Sequence, residues 1–285
     1  MNTQQTIRIY RERLVTAGQA SPLKLGKAVA KLLKRKIKDS SITKPIRIVD
    51  VGFGLGKNMA YIIEKIPNSF NTIHGIDWSP ATIDLHKKNT SSVYNEVRLC
   101  DSSKLPYNDN EFDIALSMEN LEHLYGNGAV SSLNELKRIA RHVIITTPLP
   151  SDVINLPWIS KELAEAELDQ IPLSSHDYIC LESAVHKSTL FPKSMINAGF
   201  SLESNSHGIY FGISKQLKIN DVAFVAIEQL IDKNYTSLKD KYLALLAKSA
   251  ALHMQIIKHP LYDEPPITTK ARIQKAIASI KNLIR

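Results

Sequence analysis

The chain has 285 residues, with 36 Lys and Arg against 28 Asp and Glu, which gives a formal net charge of +8. Its two cysteines argue against a disulfide framework, and no signal peptide or apolar run near ~18 residues is found, so we expect a cytoplasmic protein without a membrane span. The length fits one core domain with additional segments at its ends.

The positive charge is concentrated at the two ends of the chain. Residues 1–44 contain 11 Lys and Arg against 2 Asp and Glu, residues 45–214 contain 13 against 20, and residues 215–285 contain 12 against 6. Within the first region, LKLGKAVAKLLKRKIK predicts a basic amphipathic helix from about Pro22 to Lys38. Two interpretations stay open: a solvated face on a helix that covers the core, or a contact surface for an acidic partner such as RNA, an anionic glycan or lipid head groups.

A glycine-rich turn follows the first apolar strand, in the sequence IRIVDVGFGLGKN. The strand leads into Asp50 and then into Gly52, Gly54 and Gly56, and a helical pattern comes directly after them. Glycines tolerate positive φ, and the amides at a helix N-terminus attract polar or anionic groups. The turn therefore predicts close approach of a nucleoside-type ligand, although an ordinary glycine-rich strand-to-helix turn is the alternative.

The spacing excludes two common nucleotide motifs. The dinucleotide fingerprint requires a small residue at position 57, where this chain has Lys57. A P-loop requires glycine at position 51 and Ser or Thr at position 58, where the chain has Val51 and Asn58. The remaining pattern, D-x-G-x-G-x-G, resembles the first motif of the class I S-adenosylmethionine-dependent methyltransferases, of the type 11 kind.

The second predicted strand supports this resemblance. The run TIHGIDWSP places Asp77 at the end of an apolar strand, where a carboxylate can accept hydrogen bonds from both hydroxyls of a ribose. The resemblance implies that Asp77 binds the ribose of the cofactor and that Trp78 packs against its adenine. The alternative for Asp77 is a helix cap, a role that Ser79 could also perform.

The third and fourth predicted strands continue the pattern. The third ends near Asp101, which by resemblance would bind the adenine amino group, and the fourth runs from Phe112 to Met118. The phrase LPYNDNEFDIALSMENLEHL is similar to the fourth-strand region of the family, including its EHL ending at Glu122 and His123. The predicted cofactor-binding residues are Asp50, Gly52, Gly54, Gly56, Asp77, Trp78, Asp101, Ser102 and Met118, and the implied cofactor is S-adenosyl-L-methionine.

The resemblance covers about Pro45 to Lys215 and implies the fold. It is an α/β Rossmann-like three-layer sandwich with a seven-stranded, mostly parallel sheet whose last strand is antiparallel, plus added N- and C-terminal helices. The predicted parts are a basic helical segment at 1–44, the methyltransferase domain at 45–215 and a C-terminal helical extension at 216–285. Three helical patterns fill that extension, of which DVAFVAIEQLIDKN is the first, and the middle pattern suits packing on the domain or in a homodimer.

The acceptor site is expected in the long segment at about 149–190, which follows the fifth strand. Methyl transfer from a sulfonium requires alignment and, for a hydroxyl acceptor, removal of a proton. The candidate bases are His176, His123 and His186, although His123 can equally orient the turn after strand 4. Neither cysteine belongs to a metal-ligand cluster, so we expect no metal site.

Three functions are compatible with these patterns. The first is O-methylation of a small molecule or glycan, favoured by the histidines and by the lack of a recognised nucleic-acid-binding domain. The second is RNA methylation using the basic terminal helices, although these alternate with apolar residues rather than with exposed stacking aromatics. The third is a non-catalytic module that binds the cofactor, against which the intact glycine and aspartate positions argue.

Overall fold

A computed structural model describes residues 23–88, 92–124, 126–149, 186, 188–204 and 207–226. Their centre is a seven-stranded sheet in the order β3-β2-β1-β4-β5-β8-β7. Only β8 runs against the direction of the others, since it is antiparallel to both β5 and β7. The predicted mixed sheet is thereby confirmed. The strands of this sheet are β1 (Ile46–Val51), β2 (Phe70–Asp77), β3 (Glu96–Leu99), β4 (Phe112–Met118), β5 (Ala140–Thr147), β7 (Ser201–Ser204) and β8 (Gly208–Ile213).

Apolar side chains fill both faces of this sheet, which makes the architecture three-layered. One core cluster includes Leu133 and Leu136 of the helix before β5, and the other includes Leu33 and Met59 of two helices nearer the N-terminus. Burial on both faces explains the nearly continuous apolar runs of the parallel strands. The helices are α1 (Leu23–Lys38), α2 (Lys57–Lys65), α3 (Pro80–Lys88), α4 (Gly126–Ile139) and α5 (Pro192–Asn197), with 3₁₀ turns at Leu121–His123, Ser214–Gln216 and Ile219–Asp221.

Helix α1 packs on the domain through one face and exposes lysines on the other. Val29 and Leu33 are fully buried, and Gly26 approaches Asn58 in the first turn of α2 so closely that a Cβ would lie 2.9 Å from the Asn58 Oδ1. Arg35 and Lys36 form ion pairs with Glu203 of β7, which fixes the last turn of the helix. The exposed lysines of this helix are Lys24, Lys27, Lys31, Lys34 and Lys38.

A second, two-stranded sheet corrects one prediction. Residues 224–226 belong to the first predicted C-terminal helix, but they form β9 (Phe224–Ala226), which pairs antiparallel with β6 (Ser188–Leu190). The helical prediction is wrong there because aromatic and β-branched residues also suit a strand, and a long-range partner decides between the two. Leu217, Ile219 and Val222 are buried in the same core, so packing continues beyond residue 215. The other two helical patterns and the homodimer they suggested lie outside the described residues.

Among the residues that the structure describes, no helix combines the length and the apolar character needed to cross a bilayer.

Candidate functional site

The predicted cofactor residues meet at one edge of the sheet. Parallel pairing aligns Asp50 with Gly75 of β2 and with Leu116 of β4, and it aligns Asp77 with Leu99 of β3. The carboxyl ends of the four strands consequently lie side by side, and the residues that follow each strand line a single edge. In open α/β sheets this edge is where ligands bind.

The three glycines of the turn all have positive φ, but they serve different purposes. Their φ values are 77° at Gly52, 51° at Gly54 and 68° at Gly56. A Cβ on Gly52 would lie only 2.8 Å from the Cβ of Asn120, so Gly52 allows the segment after β4 to pack against the turn. A Cβ on Gly54 would meet nothing within 4 Å, so the backbone there faces open space. Gly54 is therefore the point at which a ligand can approach.

Asp77 holds the turn in place from the neighbouring strand. Its Oδ2 accepts a hydrogen bond from the Gly54 N–H at 3.0 Å, and its Oδ1 accepts one from the Ser79 N–H at 2.9 Å. The Ser79 hydroxyl in turn accepts the N–H of Thr82 in the first turn of α3, so Ser79 performs the side-chain capping considered above for Asp77. Each carboxylate oxygen of Asp77 retains acceptor capacity for a ribose hydroxyl. Burial raises the pKa of Asp77 to about 6, and hydrogen bonds from the backbone N–H groups of Ser79, Gly54 and Trp78 oppose this shift.

Asp50 forms a buried contact that the sequence did not predict. The Tyr94 hydroxyl donates to its Oδ2 at 2.8 Å, while its Oδ1 is buried and accepts no hydrogen bond from the described residues. Burial raises the pKa of Asp50 to about 7, which the Tyr94 bond opposes and the nearby Asp77 carboxylate reinforces. Tyr94 also lies beneath the turn, where a Cβ on Gly56 would come within 2.8 Å of its ring.

His86 of α3 is a further support that sequence reasoning missed. Its Nε2 lies 3.1 Å from the carbonyl oxygen of Gly54, and its Nδ1 lies 3.3 Å from the Ser92 hydroxyl. Burial lowers the pKa of His86, so the ring is neutral near pH 7. Gly54 is thus held through its N–H by Asp77 and through its carbonyl by His86. No motif marks this histidine, because the contact depends on how α3 packs against the turn.

The remaining predicted cofactor residues lie beside this turn. Trp78 is half-buried against the core cluster of α1 and α2, and Met118 is buried at the end of β4. The Asp101 Oδ1 accepts the Ser103 N–H at 2.8 Å, which closes the turn after β3 and brings Asp101 and half-buried Ser102 to the same edge. The individual contacts of these four residues with a cofactor stay predictions.

The residues at this edge fit the implied cofactor, S-adenosylmethionine. The unpartnered oxygen of Asp50 is a buried acceptor that would bind a donor group, and the open backbone at Gly54 leaves room for close approach. Asp77 offers the carboxylate that a ribose diol requires. The predicted cofactor residues could hold it at this edge, and their roles in binding stay predictions, while Tyr94 and His86 fix the turn from behind.

A cluster of polar side chains follows β4 directly. Glu119 has φ 51°, and its Oε1 lies 2.9 Å from Nε2 of His207 and accepts the Thr146 hydroxyl at 3.1 Å. His207, at the corner between β7 and β8, was not predicted to belong to the site. Its only sequence signal is its place before Gly208 in a tight turn.

The structure brings two of the three predicted catalytic histidines together. The rings of His123 and His186 lie 4.8 Å apart between centroids, in an edge-to-face arrangement. Glu122, between Leu121 and His123 in the 3₁₀ turn, is fully buried, and burial together with the nearby Glu119 carboxylate raises its pKa well above the ordinary value. The third candidate, His176, lies outside the described residues.

Known proteins match part of the chain. Residues 49–143 match the family model described as "Methyltransferase domain". No curated protein shows significant sequence similarity to the chain.

Solved structures with a similar fold include three methyltransferases. The CurJ carbon methyltransferase is 14% identical with a TM-score of 0.37, over 44% of this chain and 35% of its own length. A SAM-dependent methyltransferase from Aquifex aeolicus is 20% identical with a TM-score of 0.35, over 47% and 78%. A methyltransferase in complex with the Haloferax volcanii Trm112 activator is 13% identical with a TM-score of 0.41, over 73% and 97%. This chain thus spans about a third of the length of the CurJ protein.

The strand order, the glycine turn and the match over residues 49–143 agree with one another. Residues 49–143 therefore belong to a methyltransferase domain, and S-adenosylmethionine is the cofactor that this match implies.

Proposed function

We propose that the chain methylates a hydroxyl oxygen of a small molecule or glycan. The observation that carries this proposal is the pair formed by His207 and Glu119, whose Nε2 and Oε1 atoms are 2.9 Å apart at the cofactor edge. A hydroxyl acceptor must lose a proton during transfer, whereas alignment alone suffices for an acceptor that is already nucleophilic. An imidazole oriented by a carboxylate is a suitable proton acceptor near neutral pH.

Each part of the edge has a role in this proposal. S-adenosylmethionine supplies a methyl group that its sulfonium has already activated. Asp77 and Gly54 position the nucleoside end, and Asp50 offers a buried acceptor for a donor group. Asn120 packs directly against Gly52, so the segment that carries Glu119 is fixed relative to the turn. His207 would take the hydroxyl proton of the acceptor, with Glu119 orienting the ring.

Cofactor binding is tested by calorimetry with S-adenosylmethionine and with S-adenosylhomocysteine. We expect both to bind to the full chain. Absence of a signal for both, with binding of NADH instead, would overturn the proposal.

The base is tested with His207→Asn and Glu119→Gln. We expect a loss of about 10²-fold or more in kcat, with unchanged affinity for S-adenosylmethionine, since general base catalysis typically contributes this much. His74→Asn is the matched control, because His74 contacts Tyr107 and Glu96 away from the edge. Wild-type activity of His207→Asn would leave His123, His176 and His186 as the candidate bases.

The exposed basic face of α1 favours RNA as a second candidate acceptor. Five lysines on one side of a single helix form a continuous positive surface, which suits contact with phosphates. A screen of labelled methyl transfer to RNA, glycans and hydroxylated metabolites distinguishes the two candidate acceptor classes. Changing Lys24, Lys27 and Lys31 to Glu should abolish methylation of RNA and leave methylation of a small molecule unchanged. Equivalent changes at the exposed Lys215 and Lys218 serve as the control.

A further inference from the structure

Three ligand-type side chains converge beside the segment that follows β4. Glu122 and His123 lie in the 3₁₀ turn, and His186 precedes β6. One carboxylate oxygen and one nitrogen from each ring all lie within 4.8 Å of one another. This separation is short enough for a single ion at ~2.0 to 2.2 Å from each atom after small side-chain adjustments.

The carboxylate of Glu122 lacks the partners that its burial requires. Glu122 is 1% exposed, and neither of its oxygens accepts a hydrogen bond from the described part of the chain. The neighbouring Thr147 hydroxyl lies outside hydrogen-bond geometry. A buried carboxylate without a partner is costly, and buried charges are normally paired or coordinate a metal. A cation bound to the Glu122 carboxylate would offset the cost of burying its charge.

We propose that Glu122, His123 and His186 bind a divalent transition-metal ion. Two imidazoles and one carboxylate form a ligand set used by catalytic zinc sites and by other first-row ions, whereas Mg²⁺ and Ca²⁺ prefer oxygen ligands throughout. Three protein ligands leave at least one coordination position open. This differs from the sequence prediction of no metal site, which considered only the cysteines.

Contacts with neighbouring segments fix both parts of the chain that carry the three ligands. The Ser188 hydroxyl of β6 donates to the Leu124 carbonyl at 2.9 Å, which ties the strand after His186 to the 3₁₀ turn. The pairing of β6 with β9 extends this support. On the other side, Asn120 packs against Gly52, which joins the metal-binding turn to the cofactor turn.

The role of the ion rests on the proposed function. Glu122 and His123 follow β4 at the same edge as the cofactor turn, so an ion held there would lie near the acceptor and would bind its hydroxyl oxygen. An oxygen bound to a divalent cation holds its proton less tightly, and this lowers the demand on the base. On a six-coordinate ion such as Mn²⁺, which leaves more than one position open, an acceptor with two neighbouring oxygens, such as a vicinal diol, would bind best.

Metal binding is measured on the full chain after dialysis against a chelator, without cofactor or acceptor. Calorimetry with Zn²⁺, Mn²⁺ and Ca²⁺ should show one site that binds Zn²⁺ or Mn²⁺ at least about tenfold more tightly than Ca²⁺. His186→Asn and Glu122→Gln should each weaken that binding by about 100-fold or more. His142→Asn is the control, because His142 lies on β5 with its Nδ1 3.1 Å from the Asp113 carbonyl. No binding of either ion, or unchanged affinity in His186→Asn, would overturn the proposal.

A second measurement separates this proposal from the proposed function. His186→Asn should bind S-adenosylmethionine with wild-type affinity, which also shows that the variant is folded. If the ion binds but the chelator leaves kcat unchanged for an identified hydroxyl acceptor, the role in acceptor binding is overturned while O-methylation stands. If the ion binds and the only acceptors found are not hydroxyls, the proposed function fails instead.

Discussion

Replacement of Asp77 by Ala tests whether the carboxylate at the end of β2 holds the cofactor. The substitution removes the acceptor for the Gly54 N–H at 3.0 Å and for the Ser79 N–H at 2.9 Å, along with the acceptor for the ribose hydroxyls. Hydrogen bonds to a charged group contribute about 1.5 to 3 kcal/mol. We therefore expect the Kd for S-adenosylmethionine to rise by about tenfold to 150-fold at pH 8, where Asp77 is ionised.

Calorimetry with S-adenosylmethionine measures this change, and two further variants sharpen it. Asp77→Asn retains one acceptor oxygen, so its affinity should fall between those of the wild type and Asp77→Ala. Glu64→Ala removes an exposed carboxylate from α2 and should leave the affinity unchanged. Wild-type affinity in Asp77→Ala would refute the reasoning and would place the ribose elsewhere.

Three further predictions concern the residues around the turn. Gly54→Ala should abolish cofactor binding and cost only about 1 kcal/mol in the free energy of unfolding, since its Cβ meets no protein atom. Gly52→Ala should lose both binding and stability, because its Cβ would clash with Asn120. Urea denaturation together with calorimetry separates the two variants, and equal free energies of unfolding for them would contradict this. Tyr94→Phe should cost about 1 to 3 kcal/mol in urea unfolding because it leaves both Asp50 oxygens without a donor, and an unchanged midpoint would show that the bond is unimportant. Burial raises the pKa of Asp50 from its ordinary value of 3.8 to about 7 in the folded state. Its contribution to stability is therefore full below about pH 4 and is lost as pH rises to 7. Relative to the wild type, Asp50→Asn should lose less stability over this range, by on the order of 4 kcal/mol, and parallel pH profiles would refute the assignment.

The sequence predicted the sheet and the cofactor edge because both depend on local patterns. An apolar strand that ends in an acidic residue or a glycine turn is visible within about ten residues, and parallel strands place such ends together. Phe112–Met118 was predicted with its observed bounds for this reason. The same reasoning failed at Phe224–Ala226, where a short apolar run fits either a helix or a strand and only the partner Ser188–Leu190 decides.

The supports of the site could not be predicted, because each joins segments distant in the chain. Tyr94 reaches Asp50 from the loop before β3, and His207 reaches Glu119 from a hairpin formed much later in the sequence. His123 and His186 were each predicted as separate candidate bases. Their meeting depends on how the β6–β9 pair folds back onto the 3₁₀ turn, which no spacing rule encodes.

The packing of α1 determines how much of the chain must be expressed to obtain a stable domain. A fragment limited to residues 49–143 would end in the middle of β5 and would lose α1 and β8. The buried side chains of β1 and β4 that share a cluster with Leu33 would then be exposed to solvent, and β5 would present an unpaired edge, a known route to aggregation. A fragment for biophysical work should therefore begin no later than Leu23 and extend at least to Ala226.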